Sequence, residues 1–249
     1  MSRRLAFAAL MHARTGEIAL TVRRFVAVLF VAMLAAGCAS ARAAGPHTIT
    51  LTLVRHAQSA GNASGLIDTS TPGPELTANG WCQATLAEWQ LAPNHYDGIY
   101  ASTMIRTQQT ATPTAQALGE PVTVLPGLRE IEAGQYEGEP ESNAQSYLAA
   151  PLRWLQGDRD ARIPGSVDGN KFDARFDEAV RQIYDSGELS PVAFSHGGAI
   201  MLWVLMNVRN PDRSLLSSKP LPNMGRVVVT GNPFDGWTLT EWDADPTPC

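Results

Sequence analysis

The segment Thr52-Leu53-Val54-Arg55-His56-Ala57-Gln58-Ser59-Ala60-Gly61-Asn62 decides how the rest of the chain is read. An apolar, β-branched run ends abruptly in Arg-His, and a turn-forming Gly-Asn follows a few residues later. This is the pattern of a buried strand that delivers a histidine to the carboxyl edge of a sheet, where open α/β folds place their ligands. Arg55 adds a fixed charge and a planar fork that matches phosphate oxygens. A histidine at such an edge can attack phosphorus through one ring nitrogen while the other is tethered.

Three further segments extend the pattern. Ala101-Ser102-Thr103-Met104-Ile105-Arg106-Thr107-Gln108-Gln109-Thr110-Ala111 follows a second apolar run, Tyr96 to Tyr100. Leu128-Arg129-Glu130-Ile131-Glu132-Ala133-Gly134 comes next, and Pro191-Val192-Ala193-Phe194-Ser195-His196-Gly197-Gly198 is a third strand ending in histidine. Taken in this order the four segments resemble the histidine phosphatase superfamily over roughly residues 48 to 242. The resemblance implies a phosphoglycerate mutase-like fold: a three-layer α/β/α sandwich around a mostly parallel sheet. It also implies His56 as nucleophile, Glu130 as proton donor and base, and His196 as the second histidine of the site.

The chemistry calls for the same residues. Phosphorus in a phosphate ester is shielded by oxygen charge, so hydrolysis needs cations around those oxygens, an in-line nucleophile and a proton for the leaving alkoxide. Arg55, Arg106 and His196 are the candidate cations, helped by the backbone N–H of Gly197. Asn62 is placed to bond a phosphate oxygen or to shape the loop. Positive neighbours are expected to hold His56 unprotonated. Glu130 is preferred to Glu132 for its place in Leu-x-Glu-x-x-x-Gly, with Arg129 and Glu132 read as salt-bridging or solvated. The set requires no metal and no cofactor, and no Cys/His cluster has zinc-ligand spacing. The family's usual glycine after Arg-His is here Ala57, whose methyl group forbids a strained positive φ but leaves its backbone groups free to bond. His12, His47 and His95 lie in no matched segment and are read as structural or surface residues.

Strands are expected at Thr48–Val54, Asp97–Ala101, Val122–Leu125, Val192–Ser195, Arg226–Thr230 and Trp237–Trp242. Helices are expected from Leu76 to Leu91 with Thr77 as N-cap, from Ile105 to Leu118 with Gly119 as stop, from Phe172 to Ser186, and from Gly198 to Asn207. Glu137 to Asn170, rich in proline and glycine, interrupts the alternation and is expected to cover the site.

The front of the chain has a separate character. Arg23-Arg24, a short apolar run from Phe25 to Leu34, and small residues through Ala44 describe an export signal over residues 1–43. Ala35-Ala36-Gly37-Cys38 resembles a lipobox, which makes Cys38 a candidate for lipidation and the membrane a partner through that anchor. Cleavage after Ala41 or Ala43 is the alternative and gives a free exported protein. Lysine occurs only at Lys171 and Lys219 while arginine and alanine abound, as in GC-rich bacterial genomes, where Val22 can serve as a start. From residue 38 onward the net charge is −9, which argues against nucleic acid as a partner and leaves the clustered arginines to act locally, on the small phosphorylated substrate that the motifs imply. Cys82 and Cys249 are either a disulfide or two free thiols. The domain is expected over 48–243, with 244–249 as a tail. The rival readings are a phosphoglycerate mutase-like isomerase and a catalytically idle phosphate-binding protein.

Overall fold

In the computed structural model, residues 46–247 and 249 are described; Cys38 and the expected export segment lie outside them. The elements run β1 (Ile49–Arg55), α1 (Ala60–Ser64), α2 (Ala78–Leu91), β2 (Gly98–Ala101), α3 (Ile105–Leu118), β3 (Val122–Val124), α4 (Ala144–Leu155), α5 (Gly169–Asp185), β4 (Pro191–Ser195), α6 (Gly197–Asn207), α7 (Leu215–Ser218), β5 (Arg226–Asn232) and β6 (Gly236–Asp243). The strands form one sheet in the order β3-β2-β4-β1-β5-β6. The first four are mutually parallel, and β5 closes on β1 antiparallel, followed by β6.

Alternation along the strands explains the layers. Ile49, Leu51 and Leu53 of β1, Tyr100 and Ala193 pack on one side with Phe172 and Phe176 of α5 and Trp203 of α6. Val54, Ile99, Ala101, Val192 and Phe194 pack on the other with Ala84, Ala87, Ala111 and Ala115 of α2 and α3. A sheet covered on both faces needs apolar residues at every position, which is why β4 is buried throughout. The expected three-layer sandwich is the observed one.

Local signals place most helix ends. Thr77 accepts the Gly80 N–H at 3.0 Å as the cap of α2. Gly119, at φ 72°, returns its N–H to Ala115 O and stops α3. Two stretches depart from the sequence reading. Gly61 and Asn62, read as a turn, sit inside α1, where Ser59 caps the helix and the Asn62 side chain accepts the Ser59 N–H in return. The interrupted stretch after Glu137 contains a full helix, α4, which runs through Pro151 because Tyr147, Ala150, Trp154 and Leu155 are buried along it.

Cys82 and Cys249 form a disulfide across 167 residues. Closing so long a loop stabilises the folded chain by about 5 kcal/mol in the chain-entropy account. The bridge holds the tail on α2, where Gln83 Nε2 donates to Thr247 O.

Candidate active site

Strands β1 and β4 are neighbours in register, Arg55 opposite Ser195, so His56 and His196 leave the sheet side by side. Their connections go to opposite faces, since α2 covers one side and α6 the other. The crevice between such diverging connections is where an open α/β sheet offers a ligand site. A cleft of about 290 Å³ opens there, lined by Arg55, His56, Asn62, Arg106, Glu130 and Gly197 among others.

His56 is 3% exposed and its tautomer follows from its bonds. Nδ1 lies 2.7 Å from the Ala57 carbonyl, which can only accept, so the proton is on Nδ1. Nε2 is the unprotonated nitrogen, and its lone pair accepts from Arg106 Nε at 3.1 Å. Burial is the main reason the imidazole pKa lies well below its usual value, with Arg106 and Arg55 pushing the same way. The sequence reading credited the cations alone; desolvation is the larger cause.

The loop after His56 is clamped from three elements. Ala57 N–H donates to Thr110 Oγ1 of α3, Gln58 N–H to Gln83 Oε1 of α2, and Asn223 Nδ2 donates both to the His56 carbonyl and to Asn62 Oδ1. Ala57 is not among the positive-φ residues, so its methyl group introduces no backbone strain. Gly80 is required by a close approach: a Cβ there would lie 2.0 Å from the Gln58 carbonyl oxygen.

The cations sit at the floor. Arg106, 3% exposed, gives Nε to His56 and one terminal nitrogen to Asp68 O, while its other terminal nitrogen has no partner among the described residues. Arg55 is held by Leu221 O at 2.6 Å, and its Nε has no partner among the described residues. Buried guanidinium N–H groups without acceptors mark a place for an anion.

His196 calls for a correction. It was expected to supply positive charge, but it is fully buried, and burial together with Arg106, His56 and Arg55 lowers its pKa well below the usual value. It therefore offers an N–H, not a cation. Ser102 Oγ meets its Nε2 at 2.8 Å, and Nδ1 has no partner among the described residues. The ring centres of His196 and His56 are 5.0 Å apart.

Glu130 closes the far wall. Oε1 accepts the N–H groups of Ala199 and Ile131 at 2.8 and 2.9 Å, and Oε2 that of Gly198 at 3.1 Å. The start of α6 thus orients the carboxyl group, and the Gly197 N–H remains at the same helix end. Glu132 lies outside the cleft lining, paired with Arg129 at 2.8 Å, and Arg175 reaches the Glu130 carbonyl from behind. Asn62 lines the cleft, but its side-chain oxygen is engaged by Ser59 and Asn223, so loop shaping is the role its bonds show. His47 stacks on Tyr184, away from the site. Ser102, Thr110 and Asn223 were not singled out from the sequence; the first two lie within the quoted segment 101–111, and Asn223 carries no local signal at all.

A profile of the histidine phosphatase superfamily (branch 1) matches residues 51–245. The chain belongs to the histidine phosphatase superfamily. A PE-PGRS family protein of Mycobacterium tuberculosis is 44% identical over 216 residues, covering 80% of this chain and 37% of that protein. A putative phosphoserine phosphatase 2 of Hydrogenobacter thermophilus is 29% identical over 151 residues, covering 60% of this chain and 74% of its own length. In fold, a mycobacterial glucosyl-3-phosphoglycerate phosphatase solved with VO3 superposes with a TM-score of 0.65 at 21% identity, over 79% of this chain and 100% of the other. The histidine phosphatase superfamily sandwich is thus present with the four sequence segments gathered at one sheet edge.

Proposed function

We propose that this chain is an extracytoplasmic phosphomonoesterase that works through a phosphohistidine on His56. The observation that carries the reading is the His56 ring itself. Its proton is fixed on Nδ1 by Ala57, which leaves Nε2 unprotonated, its lone pair held only by the Arg106 Nε–H, beside two incompletely satisfied arginines. In this reading Arg55 and Arg106 neutralise the phosphoryl oxygens, with the N–H groups of His196 and Gly197 completing the cradle. Nε2 attacks phosphorus, the ester oxygen leaves as Glu130 gives it a proton, and the alcohol departs. Glu130, now a carboxylate, takes a proton from water as the water cleaves the phosphorus–nitrogen bond, releasing inorganic phosphate and restoring the ring.

Since the arginines supply the charge that a divalent ion supplies elsewhere, hydrolysis of an aryl phosphate is expected to persist in excess chelator. Loss of activity with chelator, restored by zinc or magnesium, counts against this mechanism.

The location rests on the basic, apolar and small-residue order of residues 23–44, and the Cys82–Cys249 bridge is consistent with an oxidising compartment. In this reading Cys38 carries lipid, and Cys38→Ser releases the protein from the membrane fraction. A mature amino terminus at Arg42 or Ala44 without acyl groups, found by mass spectrometry, would decide for simple secretion.

A further inference from the structure

We infer that the alcohol half of the substrate carries no negative charge, and that Glu141 at the mouth of the cleft rejects esters that do. The inference rests on the phosphomonoesterase reading of the same site and concerns which esters enter it.

The charges around the cleft are unevenly placed. Its basic residues are Arg55 and Arg106, both at the floor, and both already give N–H groups to the protein. Among their donors without a partner in the described residues are Arg55 Nε and one terminal nitrogen of Arg106, both buried, and a phosphoryl group would consume them. Besides Glu130, the acidic lining residues are Asp68 and Glu141; Leu66, Leu148, Met201 and Leu221 supply apolar surface, and the lining hydroxyls of Ser59, Thr69 and Tyr147 already donate within the protein. Other cations nearby are engaged elsewhere: Arg175 donates to the Glu130 carbonyl and approaches Glu132, Arg129 is paired with Glu132, and Lys219 lines a separate hollow with Asp243 and Asp245. A carboxylate or second phosphate on the alcohol would meet two like charges and apolar surface, with no cation to receive it. A neutral or cationic group meets apolar contact and an acceptor.

Glu141 is held in place although its side chain is exposed. Its N–H donates to Gly65 O at 2.8 Å, Ile67 N–H to Glu139 O at 2.8 Å and Gly138 N–H to Ile67 O at 2.9 Å. This short ladder fastens the segment before α4 to the loop after α1. The Glu141 side chain forms no hydrogen bond or ion pair among the described residues, and its field reaches Arg55 at the floor. It is a specificity residue acting on the entering group, outside the bond-breaking machinery.

The test compares kcat/KM for three monoesters: 4-nitrophenyl phosphate, 2-aminoethyl phosphate and 3-phosphoglycerate. The parent protein should disfavour the carboxylate ester. Glu141→Gln should raise kcat/KM for that ester by about 5–10-fold, the effect of one partly screened charge several ångströms away. The same variant should leave the aryl ester within about twofold, and lower the aminoethyl ester. Glu141→Lys should enlarge each change. A parent protein that prefers 3-phosphoglycerate, or a Glu141→Gln variant that shifts all three esters together, overturns the inference while hydrolysis itself stands. Failure of the parent to hydrolyse any of the three removes the phosphomonoesterase reading beneath, and the inference with it.

Discussion

His56→Ala should lower turnover of an aryl phosphate by on the order of 10⁴-fold or more, comparable to losing the nucleophile of other covalent enzymes. No neighbouring group can replace Nε2. His196 is turned to Ser102 through its own Nε2, and Glu130 is tied to three backbone N–H groups. The variant should remain folded, because the loop around position 56 is clamped through backbone groups to Thr110, Gln83 and Asn223. Acid-labile phosphoenzyme should form in the parent and be absent from the variant. The parent's phosphorylation step should also keep its rate well below pH 6.5, since burial and the two arginines keep the ring unprotonated there. A residual turnover within tenfold of the parent, with normal near-ultraviolet circular dichroism, would remove His56 from its role.

Glu130→Gln should divide the reaction in two. A general acid contributes about 10²–10⁴-fold, most when the leaving alkoxide is basic. An alkyl ester should therefore lose most of that in its phosphorylation step, while a 4-nitrophenyl ester, whose leaving group needs no proton, should lose little. Water still lacks a base, so phosphohistidine should accumulate with the aryl ester and be visible by rapid quench. The amide keeps the shape of the side chain, but its NH₂ cannot accept from Gly198 as Oε2 does. Some loss of order at the start of α6 is thus expected, and Glu132→Gln is the control, since Glu132 lies outside the cleft lining and pairs with Arg129. If Glu132→Gln instead gave the leaving-group-dependent loss and Glu130→Gln were silent, the acid would be misassigned while the nucleophile stood.

What was legible in the sequence follows from the range of the forces involved. Strands β1 and β4 declare themselves because a sheet covered on both faces demands unbroken apolar runs, and α3 ends where Gly119 permits a left-handed turn. Helix α4 was missed because Pro151 and the surrounding glycines speak against a helix locally, whereas burial of Tyr147 and Trp154 decides it. For Asn62 a signal existed in Ser59-x-x-Asn62, a capping-box spacing, but Gly-Asn was read as a turn. The charge state of His196 was out of reach, since it depends on complete burial beside Arg106. Asn223 reaches His56 across 167 residues, a contact only the folded chain reveals.

The bridge from Cys82 to Cys249 also has a topological consequence. It turns most of the domain into a covalent ring that contains Arg106, Glu130, His196 and the whole stretch from Glu137 to Asn170 over the cleft. A protease that nicks this covering stretch once opens the ring without releasing a fragment. The two pieces stay joined, each still carrying part of the sheet. Damage of that kind separates the pieces only on a reducing gel, and the bridge keeps both halves of the site on one covalent molecule after a single cut.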